Sequence, residues 1–468
     1  MDRTAIKDFI TGWIDESKAE FDACSQFLFD NPELGMQEFK AAEMLTGLIG
    51  KHGFTVERGV GGMPTAFAAS YGSGSPVIGF NCEYDCLPGL SQKSITHKEP
   101  IIEGAPGHGC GHCLLGLGGI QGAVALRYAM ETFGLRGTIR IFGTPFEEMS
   151  VGKAFMARAG VFNGVDAFLD WHPFFNKTFV HRHTNAYFNK KYHFRGISAH
   201  GNSPWNGRST LDAAIMMANA LEMLREHIRP GNEDAASTIN YTFSEVGAEY
   251  PNVIPDHSAL WIMARFPTLE ILTDAMERID NCARAAALAS GTRLEIEFIA
   301  ATHNCLANTT LGQVVYDNVE AIGPMPVTPE EQAFAKELQK NAGNEPVGIV
   351  QEHLPPCVYD AAVTDISEYS WIAPLATVWI GILPGPALHN WVITAASGSS
   401  IGKKAIGYAG RILASSAVDL LLDPELLRKA QAEHKEVLGG RVYECLIPDD
   451  VEPPLDLNRN TMEKYFKR

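Results

Sequence analysis

The sequence predicts an α/β protein built on a mixed sheet flanked by helices, with a smaller ferredoxin-like α+β module inserted into it. Three observations lead there. Helical patterns alternate with short β-rich runs up to about residue 187, the order then changes to strand, helix, strand, strand, helix, and the α/β texture resumes after about residue 302. At 468 residues the chain is too long for one compact core, which agrees with two structural units and boundaries of 1–188, 189–302 and 303–468.

Residues 1–38 form an acidic amphipathic pattern with Ile6, Phe9, Ile10, Trp13, Ile14 and Phe21 at helical spacing. They carry neither a charged leader before an apolar block nor a small-residue cleavage site, and no stretch reads as long enough for a membrane span. Residues 76–80, 137–142 and 167–171 read as buried strands. Each ends where a run of chemically active residues begins, as expected beyond the carboxyl ends of strands in an open sheet. Residues 114–130, rich in Gly, Ala and Leu, predict a helix packed closely on that sheet. In the inserted module, 190–196, 237–246 and 257–266 predict strands, 209–227 and 269–290 helices, and 291–299 the last strand. The polar stretch 328–345 predicts an exposed helix and loop.

Hydrophobic residues make up 46% and charged residues 20%, which excludes a largely disordered chain. A formal net charge of −17 argues against nucleic acid and anionic membrane surfaces as partners, because both demand a basic face. It leaves a small-molecule substrate untouched. Nine cysteines, an odd number with no leader in view, point to reduced thiols in a cytoplasm. Cys24, Cys282, Cys305, Cys357 and Cys445 read as ordinary small residues of core or surface.

The chemistry concentrates in Gly107-His108-Gly109-Cys110-Gly111-His112, Thr144-Pro145-Phe146-Glu147-Glu148, Asp170-Trp171-His172-Pro173 and a late His389. A thiolate, three imidazoles and a carboxylate can hold one or two divalent cations, and a second carboxylate beside them can move protons for water. Each part also has a plainer reading. Glu147-Glu148 alone is a solvated acidic pair, His172 a satisfied core histidine, Asp85 a strand-end turn residue. Cys82, Cys86, Cys110 and Cys113 could instead form a four-thiolate structural zinc site.

Taken in order, Asn31-Pro32-Glu33, Glu83-Tyr84-Asp85, residues 107–112, Glu147-Glu148, Trp171-His172-Pro173, Ala199-His200, Gly207-Arg208-Ser209, Pro251-Asn252-Val253, Asp365 and Leu388-His389 make the chain similar to a known family. It resembles the aminobenzoyl-glutamate hydrolase B-subunit type of amidohydrolase, within the two-metal aminoacylases, indole-acetyl amino-acid hydrolases and glutamate carboxypeptidases. The resemblance implies Cys110, His112, Glu148, His172 and His389 as ligands of two divalent ions, zinc or manganese, with Glu147 as general base. It implies that Asp85 orients a neighbouring ligand. It further implies that His200 reaches across a dimer interface to support an oxyanion, and that Asn252 and Arg265 position the substrate amide and carboxylate. Taken locally, His200 is an exposed loop histidine and Arg265 a surface ion-pairing residue. Cys113 departs from the Asn or Asp of the relatives, and Phe146 from their glycines.

The expected function is hydrolysis of the amide in an N-acyl or N-aroyl amino acid by a cytoplasmic homodimer, with a homologous second subunit as a further partner. Hydrolytic deamination of an aromatic or heteroaromatic amine is the nearest alternative. A non-catalytic, thiol-rich zinc-binding module is the other, although it leaves the Glu147-Glu148 pair unexplained.

Overall fold

A computed structural model of the chain describes all residues except 1, 181, 232–234, 355–357, 360–361 and 467–468. Cys357 lies outside the described residues. The fold is mixed α/β with a separate antiparallel sheet, as the alternation predicts. The large sheet has eight strands in the order Thr55–Arg58, Phe67–Ser73, Gly137–Thr144, Val77–Glu83, Ala167–Phe175, Leu375–Leu383, Lys177–Val180 and Glu352–His353. Its centre is parallel: Val77–Glu83 pairs in that sense with Gly137–Thr144 and Ala167–Phe175, and Ala167–Phe175 with Leu375–Leu383.

One face of this sheet is covered by the helices His112–Phe133 and Ser400–Leu422, with the amphipathic N-terminal helix Arg3–Asp30 packed on both. The small residues of the first of these explain its closeness. A Cβ on Gly119 would stand 2.2 Å from the Asn81 carbonyl oxygen, and one on Gly122 would meet the Gly410 carbonyl oxygen at 2.9 Å. These two helices also correct the sequence reading of membrane spans. Both are long and apolar enough to cross a bilayer, but 89% and 78% of their most apolar windows are buried inside the protein, so they are core helices here. The opposite face of the sheet carries an aromatic cluster including Phe142, Phe162, Phe168 and Tyr369.

The second sheet is antiparallel, in the order Thr238–Glu245, His257–Phe266, Ala186–Arg195 and Arg293–Thr302. In chain order that is strand 2-3-1-4 with helices Thr210–Arg225 and Leu269–Ser290 on one face, the ferredoxin-like arrangement. Alternate residues Phe188, Tyr192 and Phe194 bury against those helices, and Ser209 and Thr268 cap them by accepting backbone N–H bonds from Asp212 and Ile271. The first strand begins at Ala186, earlier than the texture change at 189, because Ala-Tyr-Phe is as apolar as the runs before it. Residues 329–341 are helical, and the face bearing Ala335 and Leu338 is buried rather than exposed.

Candidate active site

Four chain segments meet at the carboxyl end of the parallel strands. Val77–Glu83 ends on Glu83, with Asp85 two residues on. The loop after it leads to Cys110 and the first turn of His112–Phe133, entered through Gly111 at φ 88°, where a Cβ would also strike Pro173 at 2.7 Å. Gly137–Thr144 runs out into the short turn Glu147–Met149. His172 does not follow the end of its strand, as the sequence suggests, but sits inside Ala167–Phe175. Pro173 is tolerated there because Val77–Glu83 pairs with this strand only as far as Leu169, so no ladder bond is asked of it on that side. His389 arrives from the loop after Leu375–Leu383.

Backbone strain gathers at this place. Among the described non-glycine residues with positive φ, Phe146 (59°), Ser150 (55°) and His389 (63°) all flank the site. Phe146 holds its conformation by donating its backbone N–H to Glu38 Oε1 at 3.0 Å. Its ring lies over Gly35, where a Cβ would come within 1.8 Å of it. Glycines expected beside the glutamates are thus replaced by an aromatic residue that keeps a glycine-like backbone.

The donor atoms converge. Cys110 Sγ lies 3.6 Å from His172 Nε2, and His389 Nε2 lies 3.3 Å from Glu148 Oε2. Ligands in tetrahedral array about a zinc-like ion, with metal–sulfur near 2.3 Å and metal–nitrogen near 2.0–2.1 Å, stand roughly 3.3–3.6 Å apart. Cys110, His112 and His172 offer ligand atoms within 4.8 Å of one another, as do Cys110, Glu148 and His389. Cys110 belongs to both sets, and His112 also to a third with Glu83 and Glu147. His112 Nε2 and Glu148 Oε1 are buried without a hydrogen-bond partner, as is Glu83 Oε2. Orphaned acceptors and an imidazole nitrogen facing one another are what a cation satisfies. The donor set therefore fits two divalent ions.

Asp85 is fully buried and bonds two of these donor residues at once. Its Oδ1 accepts from His112 Nδ1 at 2.8 Å, which leaves Nε2 facing Glu83 Oε2 at 3.4 Å, and its Oδ2 accepts the backbone N–H of Glu148 at 3.0 Å. Glu147 is buried too, its Oε2 3.7 Å from His112 Nε2, too far for a hydrogen bond. Burial pushes its carboxyl well above the ordinary range, and the charge of Glu83 adds to the shift. Burial likewise raises Glu148 to about 8. Glu83 goes the other way: burial alone would raise it, but Lys153, His112 and His172 hold it down to about 2.

Sequence reasoning missed Lys153 and left Glu83 as part of a motif. The Lys153 ammonium is completely buried, 2.7 Å from Glu83 Oε1 and 2.5 Å from Asp365 Oδ1, and its backbone N–H also bonds Asp365. Nothing in Gly152-Lys153-Ala154-Phe155 marks it, because its partners come from distant segments. Cys113 packs in the hydrophobic core under the large sheet. No metal-ligand group among the described residues includes Cys82, Cys86 or Cys113, so the four-thiolate zinc site is not formed.

The cleft above Cys110 has a volume of about 330 Å³ and is lined by Glu147, Glu148, His172 and His389 on one side and by Phe174, Phe175 and Trp379 on another. His200 and Asn252 do not line it. They sit on an exposed two-stranded ribbon, Ala199–His200 against Val253–Ile254, where Gly201 N–H bonds the Asn252 carbonyl at 2.6 Å. Arg265 pairs in register with Tyr187, whereas His257, near the ribbon, pairs with Arg195 at the other end of the sheet. His257, which follows the ribbon, and Arg265 thus stand at opposite ends of one strand, roughly 27 Å apart at the rise of a strand, so a single chain places Asn252 and Arg265 toward different ends of the sheet. Arg265 lies 6.0 Å from the centre of the Tyr187 ring, which belongs to the same apolar cluster as Phe174 and Trp379.

Fold and donor set together are those of a dinuclear metal hydrolase. Residues 187–290 match the M20 peptidase dimerisation domain. The chain is 34% identical to the B-subunit of p-aminobenzoyl-glutamate hydrolase from Escherichia coli K12, over 96% of this chain and 98% of that protein. It is 27% identical to the Xaa-Arg dipeptidase of Mus musculus, over 90% of each. Its fold resembles that of Bacillus subtilis YXEP, a dinuclear metal-binding peptidase of the M20 family, with a TM-score of 0.57 at 17% identity over 87% of this chain and 99% of that one. The chain belongs to the aminobenzoyl-glutamate hydrolase B-subunit group of the M20 family. It is a metal-dependent hydrolase of amide bonds, and the reading as a non-catalytic zinc module falls with that.

Proposed function

We propose that this chain hydrolyses the amide of an N-acyl or N-aroyl amino acid of the p-aminobenzoyl-glutamate kind. The carrying observation is a buried carboxylate, Glu147, held beside a Cys110-centred donor set on one wall of an aromatic-lined cleft. Cys110, His112, Glu148, His172 and His389 are the ligands for two divalent ions, zinc or manganese. When bound, such ions polarise a carbonyl and lower the pKa of water. Their charge also opposes the upward push of burial on Glu147, so that it can act as a base. Glu147 takes the proton of the attacking water and passes it to the leaving nitrogen. A carbon–oxygen bond forms, the carbon–nitrogen bond breaks, and a carboxylic acid and a free amino acid result. Asp85 keeps the His112 ring and the Glu148 backbone in place throughout.

No lysine or arginine among the described residues lines the cleft, so a substrate carboxylate needs a cation from outside it. We assign that role to Arg265, a planar fork suited to a carboxylate. Residues 189–302 are the lid and dimerisation unit, through which His200 and Asn252 of one chain enter the cleft of the other. There His200 supports the oxyanion and Asn252 the substrate amide. The partner is a second copy or a homologous subunit. A reducing cytoplasm suits the Cys110 thiolate.

The purified metallated protein should be offered a panel of N-acyl and N-aroyl amino acids, with free amino acid and ammonia measured separately. Stoichiometric amino acid without ammonia supports amide hydrolysis. Ammonia without amino acid overturns it in favour of deamination.

A further inference from the structure

The face of the four-stranded sheet opposite its helices carries a second group of ligand-type side chains, outside the cleft. His193 and His257 stack across neighbouring strands, ring centres 5.6 Å apart and 13° from parallel. His193 Nδ1 is 3.3 Å from His257 Nε2. At the two ends of this pair, His193 Nε2 lies 2.8 Å from Glu297 Oε2, and His257 Nδ1 lies 2.6 Å from Glu245 Oε2. The nearby cations are engaged elsewhere, Arg195 and Arg293 with Glu295, and Lys191 over the Trp261 ring.

These three contacts each require one proton, whichever atom carries it. Two neutral imidazoles bring two protons, and two ionised carboxylates bring none. The chain closes only with one further positive charge, a shared proton or a cation between the rings. The spacing favours the cation, since two imidazole nitrogens on one tetrahedral zinc-like ion, each about 2.0–2.1 Å from it, stand ~3.3 Å apart. Ligand atoms of His193, Glu245 and His257 all lie within 4.8 Å of one another, and the Glu245 side chain, 47% exposed, has room to turn toward the rings.

We infer that His193, His257 and Glu245 form a site for a borderline divalent ion of the zinc, nickel or copper kind, separate from the Cys110-centred set. Its position gives it a task. Glu245 and His257 are the two feet of the loop 246–256, which carries Asn252 and the strand that pairs with Ala199–His200. An ion there ties the feet together and sets the pose of the ribbon.

The test titrates Ni²⁺ by calorimetry into the full-length protein after its ions at the Cys110-centred set have been loaded and excess metal removed. One further equivalent per chain is expected in the wild type and in Glu297→Gln. It should vanish in both His193→Gln and His257→Gln, whose far-ultraviolet dichroism and tightly held metal content should match the wild type. The difference between wild type and variants reads this site whether or not the Cys110-centred set holds metal. No further equivalent in the wild type, or one that survives both histidine substitutions, overturns the inference.

Discussion

Replacing Asp85 by asparagine separates a residue that merely ends a strand from one that sets the metal centre. The carboxylate accepts two hydrogen bonds from two different proposed ligands, His112 Nδ1 at 2.8 Å and the Glu148 backbone N–H at 3.0 Å, in a place with no exposure to water. An asparagine has one accepting oxygen. If it faces His112, its amide NH₂ is turned against the Glu148 N–H, and if it faces Glu148, it can no longer fix the His112 tautomer. One charge-assisted bond is therefore lost in either pose, at about 1.5–3 kcal/mol. At about 1.36 kcal/mol per tenfold, this corresponds to roughly 10- to 100-fold weaker metal binding, the usual scale for a partner of a metal-bound histidine. Competition against a chromogenic chelator measures it directly, with dichroism to confirm that the chain is folded. An affinity within about threefold of wild type would refute the reasoning and return Asp85 to a turn residue.

Four further outcomes are expected. Glu147→Gln should retain both ions while turnover falls at least ~100-fold, as for a lost general base, and near-normal turnover would remove Glu147 from that role. Cys110→Ser and His172→Ala should each lower metal content measured by mass spectrometry, whereas Cys82→Ser should leave it intact. Burial raises both the Cys110 thiol and the Glu148 carboxyl, the latter to about 8, so both carry protons near neutrality before metal arrives. Metal uptake must displace those protons, so apparent affinity should rise with pH through neutrality, less steeply above about 8 where only the Cys110 proton remains to be displaced, and proton release should appear as buffer-dependent calorimetric heat; pH-independent affinity would contradict it. Mixing inactive His200→Ala chains with inactive Glu147→Gln chains should restore about a quarter of wild-type activity, since about half of randomly formed dimers carry one intact site. No recovery despite proven subunit exchange would place His200 outside the partner's cleft.

Much of the architecture is legible in the sequence because burial writes a period into the chain. The switch from buried parallel strands to alternating ones announces the inserted sheet, and His257–Phe266 and Leu269–Ser290 fall where their patterns predict them. The glycine-rich helix His112–Phe133 reads as a close packer, but its apolar length is hidden because its glycines dilute the pattern. The ligand types at Cys110, His112, Glu148, His172 and His389 are visible because thiol, imidazole and carboxylate rarely recur together without a common use. Lys153 is invisible for the opposite reason. A lysine in an apolar helix turn gives no sign of its role until Glu83 and Asp365 meet it in space. The distance between Asn252 and Arg265 is also hidden, since it depends on which end of a ten-residue strand each adjoins.

The Phe146 ring fills the space that any side chain at position 35 would need, so two positions far apart in sequence form one unit of inheritance. A lineage that gains a side chain at 35 must first give up the aromatic at 146. Because the backbone at 146 has φ 59°, glycine is the replacement that costs least there. The order of the two changes matters, since the reverse order passes through an ancestor with a clash beside Glu147. Within this family, covariation between these two positions, with glycine alternating between them, is the trace such a constraint leaves.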